Sequence, residues 1–383
     1  MTLDPACSGE AFAESTDGTV GLEEEFAILN PETLDLVPRF EELRDAAAGR
    51  DPVLAEAISG ELIRSEIEIR SGRGENLHDA LARQRDLRVR LFELAAAHGV
   101  ALGATGTHPW ADFRAQEFID TEHYRRVVDG LQYVARRNNT FSLHAHVGIR
   151  GADRAIAVCD RLRPVLPTLL AISANSPFLD GIDAGLHSAR TQAFTKSFPR
   201  CGIPDPFGNW AEFQRYLQQL VDTNSIVEFT QVWWSVRPHI SYGTVEVRIC
   251  DAQATAAESD ALASLIVACV LQAARDHDEG RPFVDHPPRM IEENFWRAIR
   301  FGMDGRLIDL DRMEEVAAPA AAEALLEWTA PVRSELGIEP QLPALNGAQR
   351  QRRAIDAGQR MEDIYAATVQ ETRQTYAQEV QVR

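Results

Sequence analysis

Four short segments space carboxylates, imidazoles and guanidiniums two residues apart, the interval at which side chains of a β-strand share a face. Within residues 19–29, Gly21, Glu23 and Glu25 fall on one face and Val20, Leu22, Phe26 and Ile28 on the other, with Glu24 the exception among the apolar set. Within residues 61–70, Arg64, Glu66, Glu68 and Arg70 oppose Ile63, Ile67 and Ile69. Within 141–149, Ser142, His144, His146 and Gly148 oppose Phe141, Leu143, Ala145, Val147 and Ile149. Within 243–250, Thr244, Glu246 and Arg248 oppose Val245, Val247 and Ile249.

A single antiparallel strand of this kind needs no chemistry, because such sheets often have one solvated face. Four that repeat carboxylate or imidazole pairs point further. Carboxylate oxygens are ligands for hard cations such as Mg²⁺ or Mn²⁺. Gathered without a cation, they would raise one another's pKa. Gly21 and Gly148 lie on the polar faces, where a ligand or another backbone could approach closely. The chain has no GxxxxGK[ST] string, and its one lysine, Lys196, stands in Phe-Thr-Lys-Ser-Phe without a glycine-rich loop. That excludes a P-loop NTPase and a protein-kinase arrangement. Lys196 reads as a surface residue. A nucleotide here would be held by metals and arginines.

The elements that must position these residues follow from pattern. A long amphipathic helix is predicted over 75–98, with Leu77, Leu81, Leu87, Leu91 and Leu94 at helical spacing and Gly99 as its stop. A short strand follows over 100–104, then a Gly-Thr-His-Pro turn at 106–109. An apolar helix over 153–173 is kinked or broken by Pro164 and Pro167. Residues 176–208 read as an ordered active-site loop region. Helices at 209–222 and 255–277 follow, and the region from about 289 is predominantly helical. Residues 1–17 read as a disordered lead and 18–383 as a single catalytic domain. Amphipathic strands among helices favour an α+β fold, an antiparallel sheet with one helix-covered face.

The formal net charge of −19 makes a nucleic-acid or anionic-membrane partner unfavourable. It leaves ATP open, since bound cations invert the local sign. Five scattered cysteines without a CxxC pair suit a reducing cytoplasm. No signal peptide is visible, and no run approaches 18 apolar residues, so no membrane span is expected.

Several strings occur in a familiar order: Gly21-Leu-Glu-Glu-Glu-Phe26, Glu66-Ile-Glu-Ile69, Gly106-Thr-His-Pro109, His144-Ala-His-Val-Gly148, Arg237-Pro238, Gly243-Thr-Val-Glu-Val-Arg248 and Arg297-Ala-Ile-Arg-Phe-Gly302. Over about residues 18–305 the chain resembles the type 2 glutamate–cysteine ligases, a group of carboxylate–amine ligases. The resemblance implies a catalytic domain similar to that of glutamine synthetase: a curved antiparallel sheet with helices on its convex face and ATP with two or three divalent cations on its concave face. It implies that Glu23, Glu25, Glu68, His146 and Glu246 are metal ligands, with His144 a neighbour. Glu246 and Arg248 become the catalytic pair, Arg248 contacting the transferring phosphoryl group. The implied reaction joins glutamate and cysteine through γ-glutamyl phosphate, releasing ADP and phosphate. The implied substrates are small molecules, and the assembly a homodimer.

Arg190, before Thr-Gln, and Arg237, before Pro238, are candidates for holding a substrate carboxylate or ATP phosphates, with structural ion pairs as the alternative. Thr107 and His108 are candidate site-proximal residues, or simply a chain-reversing turn. Ser235 stands where the family usually has an aspartate, and Phe295 where it often has an arginine; both remove charge near the expected substrate end. Other readings are a ligase for a different carboxylate and amine, a metal-dependent hydrolase, or a non-catalytic nucleotide-binding relative. Zinc hydrolases favour more imidazole than this set offers.

Overall fold

The computed structural model describes residues 8–378. Its centre is a seven-stranded antiparallel sheet: β1 (Val20–Leu29), β2 (Ile58–Ser59), β3 (Glu66–Arg70), β4 (Ala101–Gly103), β5 (Ser142–Gly148), β6 (Val236–His239) and β7 (Thr244–Asp251). The order is β6-β7-β5-β1-β3-β2, with β4 pairing the last residues of β1 beyond the end of β5. The fold is α+β, as the alternation predicts.

Register turns four separate polar faces into one. Arg237 pairs with Glu246, Glu246 with His146, and His146 with Gly21. In the adjacent row Glu23 lies between His144 and Arg70, and in the next Glu25 is opposite Glu68. A one-residue slip in any strand would send its carboxylates into the core.

The opposite face is apolar and covered by helices. Leu22, Ala145, Val147, Val245 and Val247 share a core with Leu265, Ile266 and Cys269 of helix Ala256–Asp278. Phe26, Ile28, Ile67 and Ile69 pack with Leu87, Leu91 and Phe92 of helix Leu77–Ala97. Burying each such side chain contributes roughly 1.5–3 kcal/mol, which fixes the sheet that carries the polar face. The second helix begins where the Asn76 side chain accepts from the Asp79 amide at 3.0 Å, satisfying a free N–H of the first turn. Glu24, the exception to the alternation, lies on this apolar side and is 3% exposed. Arg88 donates to it through Nε (2.6 Å) and Nη2 (2.9 Å), and Gln84 through Nε2 (2.8 Å).

Some expectations need correction. Only Glu66–Arg70 of the segment 61–70 is strand; residues before it turn away, and β2 occupies the position next to β3. The segment 153–173 takes the break rather than the kink of the two outcomes expected: it is two helices, Ala152–Leu162 and Leu166–Ser173, because Pro164 cannot continue the first. The region beyond 289 includes a hairpin, Arg306–Asp309 with Glu314–Ala317, among its helices. The lead expected to be disordered lies partly outside the described residues, but Ser8–Glu14 is a helix. Phe12 is its anchor: fully buried, its ring packs edge-on against Trp210 with centroids 5.3 Å apart. Helix Ala256–Asp278 has the length and apolar character of a membrane span, and most of it is buried in the protein.

Candidate active site

The unified polar face forms the floor of a cavity of ≈ 270 Å³. Glu23, Glu25, Glu66, Glu68, His144, His146, Arg237, Glu246 and Arg248 all line it. Three groups on this floor bring ligand atoms within 4.8 Å of one another: Glu23 with Glu68 and His144, Glu23 with His146 and Glu246, and Glu25 with Glu61 and Glu68. Glu23 and Glu68 each belong to two groups.

Hydrogen bonds hold these side chains in place. The Ser142 amide donates to Glu25 Oε2 at 2.5 Å, and the Ser142 hydroxyl lies 2.6 Å from the same oxygen and 2.8 Å from His144 Nε2. His144 Nδ1 is 3.0 Å from Glu23 Oε2. His146 Nδ1 bonds Thr244 Oγ1 at 3.0 Å, which leaves Nε2 directed to the carboxylates, 3.2 Å from Glu23 Oε1 and 3.7 Å from Glu246 Oε1. Arg237 donates to Glu246 Oε2 through Nε at 2.6 Å, and Arg248 Nη1 donates to Glu246 Oε1.

The electrostatics divide the floor in two. On the β3 side, burial and the neighbouring carboxylates Glu23, Glu61 and Glu25 drive Glu68 well above the ordinary carboxylate range. Burial, then Glu25, pushes Glu61 up to about 8 and raises Glu66 strongly. On the β7 side burial is outweighed. Arg237, Arg248 and His146 hold Glu246 far below the usual range, and His146 with His144 does the same for Glu23. His146 itself is raised, because Glu246 and Glu23 overcome the effect of its burial.

This donor set fits divalent cations. The ligands are mainly carboxylate oxygens, the chemistry of Mg²⁺ and Mn²⁺. His146 Nε2 is buried without a hydrogen-bond partner, and it points at two carboxylates. Carboxyls raised by burial and then by mutual repulsion are the groups a cation would return to their charged form.

A second cavity of ≈ 870 Å³ adjoins the first and shares Glu23, Arg70, His146 and Tyr242 with it. Ala11, Glu14, Ser15 and Thr16 supply part of its wall. The glycine at 148 serves a backbone approach: a Cβ there would collide with the Thr16 carbonyl oxygen and the Thr19 hydroxyl.

Of the remaining candidates, Arg190 and Arg237 line the smaller cavity and Thr107 and His108 do not. Thr107 Oγ1 donates to the Phe178 carbonyl at 2.7 Å. His108 Nδ1 accepts from the amides of Trp110 and Ala111, and its Nε2 lies 2.7 Å from the Leu34 carbonyl. Both ring nitrogens are committed to backbone groups, so this histidine builds the turn. Phe295 is fully buried and Lys196 pairs with Glu292; neither lines either cavity, so the change at 295 lies away from the site. Ser235 is buried between Trp233 and Arg237, which do line it.

Sequence reasoning missed Glu61, which enters the floor from a non-strand segment without periodicity. It also missed the cavity's aromatic side, Phe194, Phe198 and Trp233, whose spacing carries no pattern.

The chain matches the model of glutamate–cysteine ligase family 2 (GCS2) over residues 19–380. The chain belongs to this family. It is 36% identical over 361 residues to a protein of Solibacter usitatus provisionally named glutamate–cysteine ligase 2, covering 92% of this chain and 93% of that protein. A provisionally named glutamate–cysteine ligase 2-2 of Rubrobacter xylanophilus is 39% identical over 330 residues, 84% of this chain and 82% of its own. Two solved structures share the fold at low identity. A Francisella tularensis glutamate–cysteine ligase in complex with AMP superposes with TM-score 0.65 at 11% identity, covering 95% of this chain and 90% of that one. A bifunctional glutathione synthetase of Pasteurella multocida gives TM-score 0.68 at 14% identity over 97% of this chain. The chain spans about half of that longer protein, 54%. The GCS2 match covers all the strands of the floor.

Proposed function

We propose that this GCS2 protein is an ATP-dependent carboxylate–amine ligase of the glutamate–cysteine ligase type, working as one catalytic domain over residues 18–383 in a reducing cytoplasm. One observation carries the reading: three overlapping carboxylate and imidazole groups lie on the floor of one cavity beside Arg237 and Arg248, and two of their members, Glu23 and His146, also line the adjoining cavity.

Glu23, Glu25, Glu68, His146 and Glu246 would hold Mg²⁺ or Mn²⁺, with His144 and Glu61 completing the groups. When bound, the cations supply charge neutralisation and orientation for phosphate oxygens. The larger cavity has room for a nucleotide and the smaller one for an amino acid, so phosphoryl transfer takes place above the residues common to both. The AMP complex of the Francisella enzyme supports an adenine nucleotide as ligand.

In the first step a substrate carboxylate oxygen bonds the γ-phosphorus as the bond to the β-phosphate bridging oxygen breaks, giving an acyl phosphate and ADP. Arg248, held against Glu246 with its Nε buried and unpartnered, faces the charge spread over the equatorial oxygens. Glu246 keeps Arg237 and Arg248 oriented. In the second step the amine nitrogen bonds the acyl carbon, inorganic phosphate leaves, and the nitrogen loses a proton to form the amide. Burial of the floor excludes water that would hydrolyse the acyl phosphate.

A second reading, a ligase of the same fold for another acid and amine, is favoured by Ser235, which leaves no carboxylate between Trp233 and Arg237. A coupled ADP-release screen over acid and amine pairs, with Mg²⁺ and with Mn²⁺, tests both. ADP formation that needs both an acid and an amine supports the ligase; metal-dependent hydrolysis without ATP would overturn it.

A further inference from the structure

We infer that the small cavity selects an amino-acid amine with a large apolar or aromatic side chain, held by Arg190 and an aromatic corner of Phe194, Phe198 and Trp233. The inference rests on the ligase reading for its chemistry but on separate residues for its specificity.

Phe194 and Phe198 have ring centroids 4.5 Å apart at 51°, and Phe198 meets Trp233 edge-on at 5.7 Å. Arg200 backs the corner, its guanidinium carbon 5.6 Å from the Trp233 ring centroid. All three rings line the cavity. Aromatic surface on the wall of a polar cavity is hydrated at a cost until an apolar group covers it.

Arg190 stands beside this corner, four residues before Phe194, and is 3% exposed. Its Nη1 donates to the Ile249 carbonyl and its Nη2 to that of Arg248, both at 3.1 Å. Asp251, 3.8 Å from Nη1, is the nearest acid. The Nε–H is buried and has no acceptor. A buried donor left unsatisfied is costly, and a carboxylate is the acceptor its charge favours. One ligand meets both demands: an α-amino acid whose carboxylate accepts from Arg190 and whose side chain covers the rings. Its amine then faces the metal floor.

Cavity size separates this occupant from the nucleotide. At ≈ 270 Å³ the aromatic-walled cavity suits an amino acid, whereas the adjoining one, at ≈ 870 Å³, suits ATP. A cysteine side chain is too short to cover three rings; leucine or phenylalanine is not.

The test is equilibrium binding of phenylalanine, leucine, cysteine and alanine to the full chain with Mg²⁺, followed by ADP release with glutamate as the carboxylate partner. Phenylalanine or leucine is expected to bind at least about 10-fold more tightly than cysteine or alanine, the usual yield of burying a large apolar side chain. Phe198→Ala should erase that preference and raise KM for the apolar amine, with KM for ATP unmoved. If Phe198→Ala does not fold, Phe194→Leu at the half-buried ring should reduce the preference in the same direction. Equal affinity for all four amino acids overturns the inference, as does a selective rise in KM for ATP, which would place adenine on the rings. ADP release at equal kcat/KM with cysteine and leucine overturns it while leaving the ligase intact. Retained binding preference without ADP formation from any pair would sink the ligase reading and leave the specificity corner standing.

Discussion

Glu24 and Arg88 form an ion pair at 2.6 Å on the helix-covered face of β1, between the two residues whose side chains point the other way into the polar floor, Glu23 and Glu25. Asp260 bonds the same guanidinium at 2.7 Å, and the Ser259 hydroxyl donates to Glu24. The network clamps β1 to the helices Leu77–Ala97 and Ala256–Asp278, and so sets the height of both metal-ligand candidates.

Breaking this pair from one side leaves a buried charge uncompensated. Arg88→Met is therefore expected to cost about 3–5 kcal/mol, read from denaturant unfolding. The double variant Glu24→Leu/Arg88→Met should lose less than the sum of the two single changes, because the contacting residues share one interaction. Additive losses would contradict the coupling.

Cation binding should appear as stability. Wild-type protein at Mn²⁺ a hundredfold above its dissociation constant should gain about 2.7 kcal/mol, seen as a rise in Tm. Glu23 belongs to two of the three ligand groups, so Glu23→Gln should need at least about 10-fold more Mn²⁺ for the same rise. An unchanged Mn²⁺ dependence in this variant would show that the floor does not hold the ion.

His108 makes stability depend on acid. Burial lowers its pKa from 6.5 to about 4, so between these values the unfolded chain binds the proton and the folded one does not. Its contribution is present above about pH 6.5 and is lost as pH falls toward 4, up to roughly 3 kcal/mol at 1.36 kcal/mol per unit. His187, also lowered to about 4 by burial, adds a loss of the same sign. His108→Gln should flatten the acid limb of a stability–pH curve while activity at neutral pH persists; an unchanged limb would contradict the assignment of His108 to the turn.

Much of this was legible in the sequence, for a definable reason. β1, β5 and β7 alternate strictly enough to put Glu23, Glu25, His144, His146, Glu246 and Arg248 on common faces, and pairing then joins those faces. β6 was not legible as a strand because Pro238 interrupts a four-residue run, which edge position alone allows. Arg237 was named without the element that aims it. Glu61 was counted in a strand that starts five residues later, at Glu66, so its place in the floor could not be read from period. Thr107 and His108 look the same by residue type as site residues. Only their side-chain hydrogen bonds, all to backbone groups, separate turn from chemistry. The partner of Glu24 lies 64 residues away, beyond the reach of any local pattern.

The central claim is that a carboxylate oxygen attacks the γ-phosphorus of ATP above the metal floor. The direct measurement uses a carboxylate substrate labelled with ¹⁸O, an active amine and Mg²⁺, and follows the label by mass spectrometry. The mechanism predicts that one labelled oxygen passes from the carboxylate to inorganic phosphate in each turnover, and that Glu246→Gln, though folded, forms neither ADP nor labelled phosphate. Phosphate that takes its new oxygen from water, with both labels retained on the acid, would contradict it.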